Sequence, residues 1–215
     1  MRPYYSAARL LVGGCCRVLT GWDVRGLAHI PRSGGVVVAS NHISFWDPPL
    51  IGAAVPRELT FLAREDLVHT PGLGLLIRSV NAIPIRRGVT DLSGLSRARD
   101  RLKEGAALLM FPEGGRMTDG ELHPARPGVG IMAVQADVPI VPCYISGSNR
   151  QRQWWYRGTR VRLWFGRAWP WQDLAGRESD LTPGRVLYQR VTDAVMREIA
   201  ILRTGQRTEA SRGTA

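Results

Sequence analysis

The stretch that decides the fold runs Val36-Val37-Val38-Ala39-Ser40-Asn41-His42-Ile43-Ser44-Phe45-Trp46-Asp47-Pro48-Pro49. Its first four residues form a short apolar, mostly β-branched run, which is typical of a buried strand. The strand delivers His42 and Asp47, five positions apart, onto the turn that follows. A neutral imidazole can take a proton from a hydroxyl near neutral pH, and a carboxylate on its other ring nitrogen fixes the tautomer and stabilises the imidazolium. The spacing suits such a pair if the chain reverses between the two residues.

A second interpretation of the same residues needs no catalysis. Asp47 is followed by Pro48 and Pro49, and Asp at the N-cap with proline in the first turn is a good helix start. His42 is then an ordinary loop histidine. These residues alone leave both interpretations open.

Length and charge limit the kind of protein. A chain of 215 residues favours one domain with one sizeable core. A hydrophobic fraction of 44% with 22% charged residues excludes global disorder. The net charge is +11, from 29 Lys and Arg against 18 Asp and Glu, and nearly all the cations are arginine. This balance favours nucleic acid, anionic lipid or phosphorylated and acidic substrates as partners, although a coding bias toward arginine explains it equally well.

Three cysteines, Cys15, Cys16 and Cys143, have no metal-ligand spacing, so no metal site is predicted. An odd number without a disulfide framework is typical of a reducing compartment, and the cytoplasmic side is the simplest choice.

The N-terminal residues 1–22 contain the apolar run 10–16, flanked by arginines and aromatic residues. The run is too short to span a bilayer, which needs about 20 apolar residues. No A-x-A-like cleavage site of a signal peptide follows it. The segment is predicted either to lie in a membrane interface or to pack on the core as an amphipathic helix.

The remaining apolar runs predict strands and helices that alternate along the chain. Predicted strands cover residues 36–39, 59–63, 82–85, 106–111, 138–145 and 160–169. Predicted helices cover residues 50–55, 72–80, 91–104, 129–136 and 185–202. The alternation predicts an α/β fold with a mixed, largely parallel central sheet flanked by helices. Pro142, inside the fifth predicted strand, favours a sheet edge or a bulge.

Chemically useful side chains follow the predicted strands. In parallel sheets, sites collect at the carboxyl ends of the strands. His42, Arg64, Arg87 and Arg116 all fall at such ends.

Tryptophans and arginines are interleaved in residues 150–171. Such a segment could stack bases and contact phosphates, so a nucleic-acid-binding module is one hypothesis. The same composition suits a membrane interface, and a core-and-rim arrangement explains about half of the aromatic residues.

Four separated motifs resemble, in order, the sequence blocks of the glycerolipid acyltransferases, whose best-known members are the 1-acylglycerol-3-phosphate acyltransferases. The resemblance covers residues 24–147. The four motifs are Asn41-His42-Ile43-Ser44-Phe45-Trp46-Asp47, Ala82-Ile83-Pro84-Ile85-Arg86-Arg87-Gly88, Phe111-Pro112-Glu113-Gly114-Gly115-Arg116 and Val138-Pro139-Ile140-Val141-Pro142.

The resemblance implies that His42 is the general base and Asp47 its orienting partner. On this basis an acceptor hydroxyl attacks the thioester of acyl-coenzyme A or acyl carrier protein directly, with no metal or other cofactor. Family arginines bind the acceptor's phosphate, and a loop of the third motif shapes that site. The implied substrate-binding residues are Arg64, Arg87, Glu113, Gly114, Gly115 and Arg116.

In the third block two positions lack the hydroxyl residues that are usual in the family. Gly115 stands where threonine is usual and Met117 where serine is usual, so two hydroxyls that could bond phosphate oxygens are missing. The leading prediction is acyl transfer to 1-acylglycerol 3-phosphate, which makes phosphatidic acid in phospholipid biosynthesis. The alternative is the same chemistry on another lysolipid, an amino-lipid or a glycolipid.

The expected organisation is a membrane-interface segment over residues 1–22, an acyltransferase domain over 23–203 and a disordered tail over 204–215. The expected location is the cytoplasmic face of the cell membrane, as a peripheral or monotopic enzyme on an anionic surface. No nucleic-acid partner is expected, because that hypothesis leaves the four ordered motifs unexplained.

Overall fold

The computed structural model describes residues 3–19, 21–68, 81–86, 91–150, 160–176 and 180–212. The predicted helix 72–80, Arg87, Trp154 and Trp155 lie outside these residues.

A seven-stranded sheet forms the centre of the molecule, in the order β1-β7-β6-β2-β5-β3-β4. Every neighbouring pair is parallel except β6 and β7, which are antiparallel. This confirms the predicted mixed, largely parallel α/β fold. The strands are β1 (Asp23–Arg25), β2 (Val36–Ser40), β3 (Leu59–Arg64), β4 (Ala82–Ile85), β5 (Ala107–Met110), β6 (Ile140–Ser146) and β7 (Arg162–Phe165).

Helices flank the sheet and connect its strands. Asp91 is the N-cap of the helix Leu92–Lys103, since its carboxylate accepts a hydrogen bond from the Gly94 N–H at 2.9 Å. The helices are α1 (Pro3–Leu19), α2 (Asp47–Ala54), α3 (Glu65–Val68), α4 (Leu92–Lys103), α5 (Gly128–Ala136), α6 (Trp171–Ala175) and α7 (Arg185–Arg212), with a 3₁₀ turn at Leu27–His29.

The core lies on both faces of the sheet, and β2 divides it. All five residues of β2 are buried. Val37 and Ala39 belong to one apolar cluster, with side chains of α4, α5 and α7. Val36 and Val38 belong to the other, with side chains of α1 and α2. Because both faces of β2 are covered, its sequence is a continuous apolar run rather than an alternation.

Pro142 lies inside β6, between β2 and β7, so the predicted sheet edge is wrong. Its carbonyl accepts a hydrogen bond from the Gly166 N–H, while Ile140 pairs with Trp169. The opposing segment therefore contains one residue more than β6 does, which is the bulge that the proline also predicted. The regular ladder with β7 begins only at Cys143, where a donor is available.

The last helix is longer than predicted. α7 continues to Arg212, whereas a disordered tail was predicted from residue 204. Gln206 explains part of the difference, since it is 3% exposed and its amide accepts from Ser146 Oγ at 2.8 Å and donates to the Tyr144 carbonyl at 3.3 Å. The polar composition of residues 204–215 gave no indication of these buried contacts.

One face of α1 packs on the core. Tyr5 and Cys16 are buried, and the Tyr5 hydroxyl donates to the Gly52 carbonyl and accepts from the Leu59 N–H. The opposite face exposes Leu10, Leu11 and Val18, at 76%, 70% and 68%. The buried face fits the predicted packing on the core, and the membrane-interface role of the segment stays a prediction. Among the helices that the structure describes, none has the length and apolar character needed to cross a membrane.

The described tryptophans of the segment 150–171 make contacts within the protein. Trp169 and Trp171 pack against the core cluster. The guanidinium of Arg167 lies 3.3 Å from the centre of the Trp169 ring, and that of Arg25 lies 4.6 Å from the Trp164 ring. These rings already have stacking partners, which favours the core-and-rim interpretation over base stacking.

Candidate active site

The turn after β2 is fastened to the end of β6 by Asn41. Its side-chain amide donates to the Ile145 carbonyl at 3.0 Å and accepts from the Ile145 N–H at 2.8 Å. Asn41 is 2% exposed. Because both groups of the amide are used, the side chain substitutes for a pair of ladder bonds and fixes where the turn leaves the sheet.

Asp47 closes the turn. Its Oδ2 atom accepts hydrogen bonds from the Ile43 N–H at 2.7 Å, the Ser44 N–H at 2.8 Å and His42 Nδ1 at 2.8 Å. Asp47 is the first residue of α2 and Trp46 its N-cap, without a side-chain cap bond. The N-cap role for Asp47 is therefore wrong, since its carboxylate reaches back into the turn instead of capping the helix.

The pairing determines which imidazole nitrogen is basic. A carboxylate oxygen can only accept, so His42 Nδ1 carries the hydrogen, and in the neutral imidazole Nε2 keeps its lone pair. In the described part of the chain no group bonds to Nε2. The His42 side chain is 15% exposed and that of Asp47 is 0% exposed. The imidazole is thus partly accessible, and the carboxylate that orients it is buried.

Phe111 sets the plane of the imidazole. Its ring stacks on His42 with a centroid separation of 3.9 Å and an interplanar angle of 17°. Phe111 directly follows β5, which pairs with β2. One hydrogen bond at Nδ1 leaves a ring free to rotate about that bond, and the stacked phenyl group restricts this rotation.

Glu113 braces the loop after β5. One carboxylate oxygen accepts from the His42 N–H at 3.0 Å, and the other accepts from the His123 N–H at 3.1 Å. Burial raises the pKa of Glu113 from its ordinary value of 4.5, and the two backbone hydrogen bonds oppose this rise. The loop-shaping role that the resemblance implies fits this geometry, and a direct contact with substrate stays a prediction.

The two glycines of the loop differ. Gly114 has φ +72° and its N–H donates to the Phe111 carbonyl, so the turn needs a residue that tolerates a left-handed conformation. A Cβ on Gly114 would lie 2.9 Å from Arg126 Cδ. A Cβ on Gly115 would have no neighbour within 4 Å. Space therefore does not explain why Gly115 lacks the usual threonine side chain.

Arg116 extends over the ring of Phe45, with its guanidinium carbon 3.3 Å from the ring centre. The next residue, Met117, donates its N–H to the His42 carbonyl at 2.7 Å. The turn that carries His42 and the loop that carries Arg116 are therefore directly bonded to each other.

For the other two predicted arginines, Arg64 and Arg87, the structure describes no side-chain position. Arg64 is the last residue of β3, at the carboxyl edge that also carries His42 and Arg116, and its side chain lies outside the described part. Arg87 lies outside the described residues altogether.

Sequence reasoning missed three site residues. Asn41 was quoted only as part of a motif, although its amide fastens the turn. Phe111 and Phe45 were noted only as members of motifs. Phe111 stacks on His42, and Phe45 stacks on Arg116. An aromatic residue directly after a buried strand was the available signal for Phe111.

The fold and the site define a class: an α/β domain with a hydrogen-bonded His–Asp pair at the carboxyl edge of its sheet and an arginine on the neighbouring loop. Such a pair can deprotonate a hydroxyl. The chain belongs to the Acyltransferase family, whose model matches residues 21–146.

Curated relatives and one solved structure are similar to this chain. The human 1-acyl-sn-glycerol-3-phosphate acyltransferase alpha is 35% identical over 127 residues, which are 58% of this chain and 45% of that protein. The lyso-ornithine lipid O-acyltransferase of Pseudomonas aeruginosa is 34% identical over 126 residues, which are 58% of this chain and 48% of that protein. The chain thus spans less than half the length of these two relatives.

The crystal structure of the 1-acyl-sn-glycerophosphate (LPA) acyltransferase from Thermotoga maritima is similar over most of its length. The TM-score is 0.68 at 26% identity, covering 94% of this chain and 84% of that chain.

Proposed function

We propose that this protein transfers a fatty acyl chain from an acyl thioester to the free hydroxyl of a lysolipid, with 1-acylglycerol 3-phosphate as the acceptor and phosphatidic acid as the product. The observation that carries the proposal is the His42–Asp47 pair, with Nδ1 held at 2.8 Å and Nε2 without a partner among the described groups. Family membership and the names of the relatives support the reaction class.

The proposed chemistry balances with one base. His42 Nε2 takes the proton of the acceptor hydroxyl while its oxygen forms a bond to the thioester carbonyl carbon. The carbon–sulfur bond then breaks, and the imidazolium returns the proton to the departing thiolate. Asp47 stabilises the imidazolium between these steps, since its carboxylate lies on Nδ1.

Arg116 is the proposed contact for the acceptor's phosphate, because a guanidinium can bind two oxygens at once. It is exposed, and the loop that carries it bonds to the His42 carbonyl. Arg87 and Arg64 remain proposed as further contacts.

A second candidate acceptor is a lysolipid with an amino-acid headgroup. Gly115 and Met117 remove two hydroxyls from the loop, and one relative at 34% identity is named a lyso-ornithine lipid O-acyltransferase. A planar carboxylate needs fewer hydrogen-bond donors than a phosphate does, so a loop without these two hydroxyls suits it.

The proposed location is a membrane surface, at its cytoplasmic face. The exposed face of α1, with Leu10, Leu11 and Val18, supports insertion into the headgroup region. The net charge of +11 supports attraction to anionic lipid and to an acidic donor, acyl-coenzyme A or acyl carrier protein. The free thiols of Cys15, Cys16 and Cys143 fit a reducing compartment.

The proposal is tested by supplying the purified protein with labelled acyl-coenzyme A, or acyl carrier protein, and a mixed lysolipid extract. Mass spectrometry then identifies which lysolipid is consumed. Formation of labelled phosphatidic acid is expected. Acylation of an amino-acid lipid in its place would select the second candidate, and no acyl transfer with either donor would refute both.

A Gly115→Thr variant is the matched control for the acceptor. The site has space for the added side chain, so the fold should be unaffected. If phosphate is the natural headgroup, the restored hydroxyl should lower the KM for 1-acylglycerol 3-phosphate. If a carboxylate is natural, the ratio of the two activities should shift toward the phosphate acceptor.

A further inference from the structure

Arg116 has an unusual environment for a functional arginine. Its guanidinium makes no hydrogen bond or ion pair within the described part of the chain, and its central carbon lies over the Phe45 ring, 3.3 Å from the ring centre. The other described cation–π pairs place Arg25 and Arg167 on tryptophan rings.

Phe45 is 68% exposed, so core packing does not explain its position. It lies in the turn between His42 and Asp47. An exposed phenylalanine gains little of the free energy that burial in a core would supply. The group that it contacts here is Arg116.

Stacking on an aromatic ring fixes an arginine without using its hydrogen-bond donors. The guanidinium plane lies parallel to the ring face, and the N–H groups point outward along its edge. A long side chain that would otherwise sample many rotamers is then ordered before a ligand arrives. This lowers the entropy that binding has to remove.

The placement beside the base follows from two connections. Phe45 belongs to the turn whose backbone N–H groups bond to Asp47, and Met117, next to Arg116, donates to the His42 carbonyl at 2.7 Å. The stacked pair therefore moves with the turn that holds the base. An oxyanion bound by Arg116 would therefore lie near the turn that carries His42.

We propose that Phe45 is a positioning residue. It holds the guanidinium of Arg116 in an orientation ready to donate two hydrogen bonds to the oxyanion of the acceptor headgroup, either a phosphate monoester or a carboxylate. The inference rests on the proposed function for the identity of the ligand, and on the contact itself for the role of Phe45. Because the loop lacks hydroxyls at Gly115 and Met117, binding depends more on the orientation of this one side chain.

The test is a double-mutant cycle that measures binding rather than turnover. The full-length protein is titrated with sn-glycerol 3-phosphate and, separately, with N-acetylornithine, and NMR shifts give each dissociation constant. Phe45→Leu should raise the dissociation constant of the preferred probe about two- to fivefold, the range of an exposed cation–π contact. In an Arg116→Leu background the same substitution should have no effect. Phe45→Trp should restore binding, because tryptophan offers the best ring face.

Kinetics add a readout that a purely structural role would not change. Phe45→Leu should raise the KM for the acceptor while the kcat and its pH profile stay unchanged, because the His42–Asp47 pair is intact.

Equal binding by Phe45→Leu and the unaltered protein would overturn the inference. So would an equal loss in the Arg116→Leu background, or failure of both probes to bind the unaltered protein. If the binding cycle shows coupling but no acyl transfer is found, the proposed function fails and the role of Phe45 stands.

Discussion

Replacing Asp47 with asparagine separates the electrostatic role of this side chain from its structural one. Asp47 Oδ2 accepts three hydrogen bonds, from His42 Nδ1, Ile43 and Ser44, while the buried Oδ1 has no partner in the described part of the chain. An asparagine oxygen can occupy the Oδ2 position and its amide nitrogen the Oδ1 position. The three bonds and the Nδ1–H tautomer are kept. The negative charge is lost, and the amide places two N–H donors at the buried Oδ1 position, where the described part of the chain offers no acceptor.

The expected loss of activity follows from Coulomb's law. A carboxylate about 4 Å from the charge centre of an imidazolium stabilises it by about 4 kcal/mol at an effective dielectric constant of about 20. Removing that stabilisation from the transition state lowers kcat by about a thousandfold, since each 1.4 kcal/mol is worth about a factor of ten. The free energy of unfolding should change by less than the activation free energy does. Three charge-assisted bonds each weaken by about 1 kcal/mol and the two amide N–H donors are left unpaired, whereas the cost of burying a charge disappears.

The assays are acyl transfer at saturating substrate and urea unfolding of the same preparations. Asp47→Ala is the contrasting variant. It leaves the backbone N–H groups of Ile43 and Ser44 without their acceptor and should lose about 2–6 kcal/mol of stability as well. A folded Asp47→Asn protein that keeps more than about a tenth of the activity would refute the electrostatic role.

The remaining predictions concern the loop and the ring that surround the base. Burial raises the pKa of Glu113, so the folded protein binds this proton more tightly than the unfolded chain does, and stability should fall as pH rises from 4.5 through the folded-state pKa. Urea unfolding across that range should show the slope, and Glu113→Gln should flatten it. Gly114→Ala should destabilise the protein by about 1–2 kcal/mol because of its positive φ, whereas Gly115→Ala should change stability by less than about 0.5 kcal/mol in the same thermal or urea assay. Phe111→Leu should lower kcat/KM about two- to tenfold through loss of the stack on His42, with the KM for the acceptor unchanged in steady-state kinetics.

Each of these has an outcome that contradicts it. A Glu113→Gln protein with the original slope would assign the pH dependence to another group. Equal effects of alanine at Gly114 and Gly115 would contradict the backbone geometry of the loop. A Phe111→Tyr variant should behave like the unaltered protein, and a loss as large as that of Phe111→Leu would show that stacking is not what matters.

Local sequence patterns were sufficient for six of the seven described strands, all but β1, and for placing His42 and Asp47 in one turn. The run 36–39 is apolar throughout because both faces of β2 are covered, and the run 107–110 in β5 is apolar for the same reason. His42 and Asp47 lie within one turn, so their pairing depends on contacts only five residues apart. Such short-range features are visible in a single sequence.

Contacts between distant parts of the chain could not be predicted. Asn41 bonds to Ile145, 104 residues away, and Glu113 bonds to His42 across 71 residues. Nothing in the local composition of either segment indicates these partners. The end of α7 was misjudged for the same reason, since the buried site of Gln206 is formed by Tyr144 and Ser146.

The central claim is that His42 removes the proton from a lysolipid hydroxyl during acyl transfer. The most direct measurement compares the unaltered protein with a His42→Ala variant, each purified and supplied with acyl-coenzyme A and 1-acylglycerol 3-phosphate in vesicles. Circular dichroism and urea unfolding confirm that both are folded. The predicted result is labelled phosphatidic acid from the unaltered protein and a loss of at least about a hundredfold in the variant, the lower range of general-base catalysis. Full activity of a folded His42→Ala protein would contradict the claim.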